Sequence, residues 1–419
     1  MKIGELAEKY NITRDAIRYY VNHGLLSLSK GPQYNFTQKD IEDLQLILKM
    51  KRQQFSLQEI SDVLTLHRIG NMIEPEIITA YKNILERKHS ELQEQARQLQ
   101  LAMDSISRDI KELSTKAVDS GISLRLGVPL VALQLLHCPK CRGSFDLEEA
   151  TLNSQYVFSG KLRCSCGYSM RIEDGIVHTG NLYQGLHDWP DLNRNLYSNI
   201  SNQFVSAMQR CHDQVLGELV DMGLKDKVVL ETHVNGYFFA YNHILSIPPE
   251  CLYIVTDKFP EMLLMYKKLI EKLNQPVNFL FIADNTMNFP LKPGCVDLVV
   301  DFMSDVEHCL YSPTPYIKLL KPFLKPQAPV LGTVVGYHGL NRSQVLLHKK
   351  YPESAELPMN LDRLPEEYRA AGYKLQWQQV CLIESAKKQI GNFECQVEGE
   401  LMHLMLMKAV PVRVSSGRI

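Results

Sequence analysis

The chain has 419 residues, 45% of them hydrophobic, which is enough for two to four domains with real cores. Its net charge of -1 excludes a global basic field, so any affinity for nucleic acid must come from a local patch. No apolar run approaches the roughly 20 residues of a membrane span, and the start lacks a signal peptide's apolar core. A cytoplasmic chain is expected, with its ten cysteines as thiols or metal ligands.

Residues 3–10 predict a helix with Ile3, Leu6, Ala7 and Tyr10 on one face. Asn11-Ile12-Thr13 is a turn, and Thr13 is a good N-cap for a second helix. On that helix Ala16, Ile17 and Tyr20 can pack inward while Arg14, Asp15 and Arg18 face out. Such a pair is a helix-turn-helix, which sends its second helix into the major groove, where arginine reads guanine edges or phosphates. The Gly/Pro turn from Lys30 to Phe36 suits a wing along the DNA backbone. Residues 1–52 hold nine Lys/Arg against six Asp/Glu, a modest local excess.

These residues resemble the DNA-binding domain of the MerR family of bacterial transcription regulators. The match lies in Ile3-Gly4-Glu5-Leu6-Ala7, Ile17-Arg18-Tyr19-Tyr20, Gly24-Leu25-Leu26, Phe36-Thr37 with Asp40-Ile41, and Phe55 to Ile60. The resemblance implies a winged helix-turn-helix over residues 1–75. Its contacts to double-stranded promoter DNA would come from Thr13, Arg14, Asp15, Arg18, Tyr19, Lys30, Tyr34 and Asn35. One departure stands out: Tyr34 occupies the place of a wing arginine in the family.

Residues 76–117 predict one long helix. Ile78, Leu85, Leu92, Leu99, Ile106 and Leu113 recur every seven residues, and His89, Ala96, Met103 and Ile110 make a second row. That is a coiled-coil seam needing a partner. The resemblance implies an antiparallel homodimer through 78–113, engaging RNA polymerase at a twisted promoter.

Beyond a linker come Cys138-Pro139-Lys140-Cys141 and Cys164-Ser165-Cys166, two turns with the spacing of a four-thiolate zinc site. Four protein ligands leave no open position, so a structural zinc is expected, in a small β zinc ribbon over 131–182. Residues 156–158 and 160–162 read as the hairpin joining the turns. The segment from Gly160 to Val177 resembles the zinc ribbons attached to some rRNA methyltransferases.

Residues 195–411 alternate strand and helix, which predicts an α/β Rossmann-like sheet with parallel strands and a late antiparallel hairpin. The order resembles class I S-adenosylmethionine-dependent methyltransferases. The resemblance implies S-adenosylmethionine as cofactor, held by Glu231, Gly236, Asp257 and Asp284 at the first three strand ends. The glycine-rich first motif is degenerate, with His233 and Asn235 in place of glycines. No acceptor motif of amino methyltransferases follows the fourth strand, only Glu307-His308, a weak acid/base signal. The reading is a multidomain, dimeric DNA-binding regulator whose methyltransferase-like domain senses a ligand or recruits a partner. The alternative is a methyltransferase carrying a DNA-binding module.

Overall fold

The computed structural model describes residues 1–27, 35–70, 74–116, 124–194, 200–384 and 396–412. The chain divides into two compact units, residues 1–119 and 120–419.

The first unit is helical: α1 (Ile3–Lys9), α2 (Arg14–Asn22), α3 (Gln38–Arg52), α4 (Leu57–Ile69) and α5 (Pro75–Lys116). Its boundaries follow from side-chain caps. Thr13 Oγ1 accepts the Ala16 N–H at 3.1 Å and starts α2. Thr37 with Asp40, and Ser56 with Glu59, form reciprocal capping boxes at α3 and α4. Leu6, Ile17, Leu44, Ile47, Met50, Ile60 and Val63 are fully buried in one core. Truncating such a residue to alanine costs roughly 2–5 kcal/mol. Arg68 locks this core from the side. Its guanidinium donates to Asp43 Oδ2 at 2.8 Å and to the carbonyls of Gly24 and Leu25. The start of α5 packs on the same core through Tyr81, Ile84 and Leu85. Lys88 adds an ion pair to Glu59 at 2.9 Å. The front of the predicted seam is therefore partly used within its own unit.

The second unit is built on one continuous sheet. Its elements are β1 (Val128–Pro129), α6 (Leu130–Leu133), β2 (Asp146–Leu152), β3 (Tyr156–Arg163), β4 (Ser169–Glu173) and β5 (Ile176–His178). Then follow α7 (Asn202–Met222), β6 (Val228–Thr232), α8 (Phe239–Asn242), β7 (Leu252–Asp257), α9 (Pro260–Leu273) and β8 (Asn278–Ala283). The chain continues through β9 (Leu298–Phe302), α10 (Ser304–Tyr311), α11 (Tyr316–Leu320), β10 (Val330–Gly336), α12 (Arg342–Lys350) and α13 (Leu364–Ala370). The hairpin of β11 (Tyr373–Glu384) and β12 (Leu401–Pro411) closes it.

The strand order is β1-β3-β4-β5-β8-β7-β6-β9-β10-β12-β11, with β2 on β3. From β8 to β10 all neighbours are parallel, while β12 runs antiparallel between β10 and β11. That is the methyltransferase-like α/β order. Both faces carry apolar layers, so β7 reads as six buried residues in a row. Gly332 is required by close approach: a Cβ there would stand 1.7 Å from the Asp301 carbonyl oxygen on β9.

Two details differ from the sequence expectation. Residues 156–163 form one uninterrupted strand, not a hairpin, and the partners β2 and β4 lie on either side. The ribbon strands also do not stand apart as a small β module. Strand β5 pairs in parallel with β8 through Ile176–Phe281, Val177–Ile282 and His178–Ala283, so they extend the α/β sheet at its edge. The physical reason is that β8 would otherwise be an open apolar edge, and β5 covers it.

Candidate functional site

On α2 the residues at 13, 14, 15, 18 and 19 are exposed while Ile17 is buried, so the outward face is the expected one. Arg18 Nη1 reaches Asp15 Oδ1 at 3.0 Å across one helical turn. Tyr19 stacks on His23 with ring centroids 3.9 Å apart. Arg14 lies along α1, where a Cβ on Gly4 would sit 3.2 Å from its guanidinium. Asn35 pairs with Lys2 as an isolated bridge. Lys30 and Tyr34 lie outside the described residues.

The four cysteines Cys138, Cys141, Cys164 and Cys166 converge, all sulfur atoms lying within 4.8 Å of one another. The closest pairs are Cys138–Cys166 at 3.5 Å and Cys141–Cys164 at 3.4 Å. Tetrahedral zinc at about 2.3 Å from each sulfur needs sulfurs about 3.8 Å apart. The donor set therefore fits a zinc ion. Both turns are shaped by backbone bonds: Cys138 N–H donates to Gly143 O at 2.8 Å, and Gly167 N–H to Cys164 O at 2.9 Å. Gly167 has φ +85°, a left-handed turn that glycine adopts without strain. Zinc there would tie β3 and β4 to the preceding loop, with no position left for a substrate.

The third constellation lies at the carboxyl ends of β6, β7 and β8. The strand order reverses between the parallel neighbours β6 and β9, and open α/β sheets place their ligand crevice at such a switch point. The structure brings Glu231, Asp257 and Asp284 to that end but satisfies each one internally. Glu231 accepts the N–H of Phe239 at 2.6 Å, that of Ala240 at 3.2 Å, and the Tyr253 hydroxyl at 2.8 Å. Burial pushes its pKa up to about 7. Asp257 accepts the N–H groups of Phe259 and Asn235 at 2.9 and 2.8 Å, and burial pushes it up to about 6. Asp284 takes Thr179 Oγ1 at 2.6 Å, Asn181 Nδ2 at 3.1 Å, and both the N–H and hydroxyl of Thr286.

A segment that sequence reading left unassigned closes this end. Asn235 holds it through the Asp191 N–H at 3.0 Å and the Trp189 carbonyl at 3.3 Å. Arg194 donates to the carbonyls of Asn235 and Gly236 at 2.8 and 2.9 Å. Lys258, 4% exposed, is gripped by Asp188 at 2.7 Å and Glu307 at 3.0 Å, and its ammonium sits 3.2 Å from the Tyr311 ring centroid. Burial opposes its charge, yet Glu307 and Asp188 raise its pKa. Burial pushes Glu307 up to about 7. His308 is buried and bonds through Nε2 to the Thr314 carbonyl. So Glu307 and His308 point to different partners, and the pair is not an acid/base couple. The signal for Lys258 was in the sequence: it directly follows Asp257. Its partners, 49 and 70 residues away, were not legible there.

His233 has φ +55°, the left-handed region glycine favours. This turn carries an imidazole against His308 and Tyr316. The three acids thus stand at the strand ends with hydrogen bonds inside the chain, and the His233 ring lies in the loop that follows β6.

Comparison with known proteins follows the same division. Residues 1–66 match the family model for MerR HTH family regulatory protein. Among solved structures, a protein of Listeria monocytogenes described as a MerR family transcriptional regulator is 25% identical over 27% of this chain and 86% of its own, with TM-score 0.23. The phosphoethanolamine N-methyltransferase 2 of Haemonchus contortus is 13% identical over 54% of this chain, with TM-score 0.37. The match spans only 60% of that enzyme. An S-adenosylmethionine-dependent methyltransferase of Aquifex aeolicus is 17% identical over 48% of this chain and 89% of its own, with TM-score 0.33. No curated protein matches the chain. The chain thus carries a MerR-type helix-turn-helix at its N-terminus and a methyltransferase-like α/β fold, edged by a four-cysteine cluster, in its C-terminal unit.

Proposed function

We propose that the chain is a dimeric DNA-binding transcription regulator whose C-terminal unit senses a ligand or docks a partner rather than transferring a methyl group. The observation that carries the reading is the outward face of α2. A capped, fully formed helix within the matched segment exposes Thr13, Arg14, Asp15, Arg18 and Tyr19 together. Arg18 is the principal contact to phosphate or guanine. Its bond to Asp15 is between exposed groups and is exchanged on binding. Asn35 and, from the sequence, Lys30 and Tyr34 complete the surface at the wing.

Dimerisation through α5 supplies the second recognition helix for a two-fold promoter site, read with RNA polymerase. Leu99, Met103, Ile106, Ile110 and Leu113 on α5 are 58–66% exposed, an apolar row that a second copy would cover. A structural zinc at the four cysteines belongs to the proposal, as does a cytoplasmic location. Among the described residues no helix is long and apolar enough to cross a membrane. Footprinting and salt titration test the DNA role. Arg18→Ala should weaken binding to all sequences and lower the slope of log affinity against log salt by about one phosphate's worth. An unchanged footprint and slope would remove Arg18 from the interface.

The second reading is a methyltransferase carrying a DNA-binding module. The methyltransferase-like strand order favours it; the committed acids and His233 oppose it. Calorimetry of the full chain with S-adenosylmethionine, joined to a turnover assay, separates the two. Binding with turnover establishes the enzyme, and binding alone a sensor.

A further inference from the structure

Where β10 ends, two histidines from different strands meet. His338 follows β10, and His403 lies on β12 opposite Gly336. Their rings are 4.7 Å apart between centroids and stand at 85°. Each ring is oriented by an acceptor at Nδ1. His338 Nδ1–H donates to Asp362 Oδ1 at 2.6 Å, and His403 Nδ1–H to Gln379 Oε1 at 2.8 Å. With the proton held at Nδ1, each Nε2 carries a lone pair. A ring nitrogen donating to a carboxylate or amide carbonyl, leaving the other nitrogen basic, is the usual setting of a metal-binding histidine.

The support is rigid. Tyr337 N–H donates to Met359 O at 2.8 Å and Leu361 N–H to Tyr337 O at 3.0 Å, which knits the His338 loop to the turn that bears Asp362. Gly339 N–H donates to the second oxygen of Asp362 at 2.7 Å. Asn341 Nδ2 holds the His338 carbonyl at 2.9 Å. The His338 side chain is 41% exposed, so an ion can enter from solvent, and Trp377 stands 6.2 Å away as an apolar wall.

The geometry points to a second metal site here, in which His338 and His403 bind a divalent transition-metal ion through their Nε2 atoms. A metal about 2.1 Å from Nε2 lies about 3.2 Å from the ring centroid. Two imidazoles in adjacent coordination positions then have centroids about 4.6–5.3 Å apart, which includes the observed separation. Two neutral imidazoles suit zinc, nickel or copper over magnesium or calcium, which prefer oxygen. The remaining positions are open to water or a small anionic ligand, unlike the closed four-cysteine cluster. Asp362 and Gln379 are positioning residues that set the tautomer and aim of each ring.

The test uses the untagged full chain, stripped with chelator, reloaded with one equivalent of zinc, and titrated calorimetrically with Ni²⁺. The chain should take up one further equivalent without releasing zinc. His338→Ala and His403→Ala should each abolish it, and Asp362→Asn should weaken it about 10–100-fold. His338→Asn, on the loop, replaces the alanine variant if that one is misfolded. The proposal fails if the wild-type chain takes up no second equivalent. It fails equally if uptake matches zinc release, or if the second equivalent survives in both histidine variants.

Discussion

Asp257, at the end of β7, accepts the backbone N–H of Asn235 at 2.8 Å. An acid that the resemblance implies for cofactor binding thus anchors the loop that carries the degenerate first motif. Lys258 beside it carries the same closure onward to Asp188, so acid, loop and covering segment are one hydrogen-bonded assembly.

Buried Glu231 makes that end of the sheet sensitive to pH. Its folded pKa, pushed up to about 7, lies above that of a carboxyl in the unfolded chain, so the native state holds the proton more tightly. Stability from this group is fully present below about pH 4.5 and is lost as pH rises through about 7. Glu231→Gln keeps a neutral group that can still accept the Phe239 N–H. Urea unfolding between pH 5 and 8 should show the wild-type chain losing stability relative to the variant as pH rises. A constant gap between the two would contradict the assignment.

The turn at His233 gives a comparison in which side-chain loss cancels. His233→Ala and His233→Gly remove the same imidazole, but alanine keeps a Cβ at φ +55°. The glycine variant should be the more stable by about 1 kcal/mol. Denaturant midpoints of the two variants decide it, and equal midpoints would mean that the backbone relaxes without strain.

Metal analysis of the purified chain should find one zinc lost on replacing Cys138, Cys141, Cys164 or Cys166 with serine. Because β3 to β5 continue into β8, the loss should lower the melting temperature of the α/β unit as a whole and not only of the ribbon. A zinc-free variant melting with the wild type would make the cluster a bystander.

Charge placed in the exposed row of α5 should act on assembly. Ile106→Lys with Ile110→Lys puts two ammonium groups where a second copy would pack. Sedimentation should show monomers, with DNA affinity falling because one recognition helix loses its tether to the other. The helical core around Leu44 and Ile60 is separate from this row and should keep its circular dichroism. A dimer that persists would move the interface elsewhere.

Much was readable from local pattern. Helix-turn-helix spacing, the cap at Thr13, the long helix α5 and the buried strand runs are short-range signals, since 3.6- and 2-residue periods are written in the chain itself. The paired cysteines likewise announced a cluster that could hold a metal ion, because such a cluster needs little beyond two tight turns. What only the tertiary structure decided is where long-range partners fall. Thr179, Asn181, Trp189, Asp191 and Arg194 saturate the carboxylate end of the sheet from positions that carry no motif. β5 joins a sheet edge whose exposure no single segment reveals. His338 and His403, 65 positions apart, become neighbours because β12 threads between β10 and β11. Hydrogen bonds and ring contacts of this kind depend on strand order, and strand order is a property of the whole packed sheet.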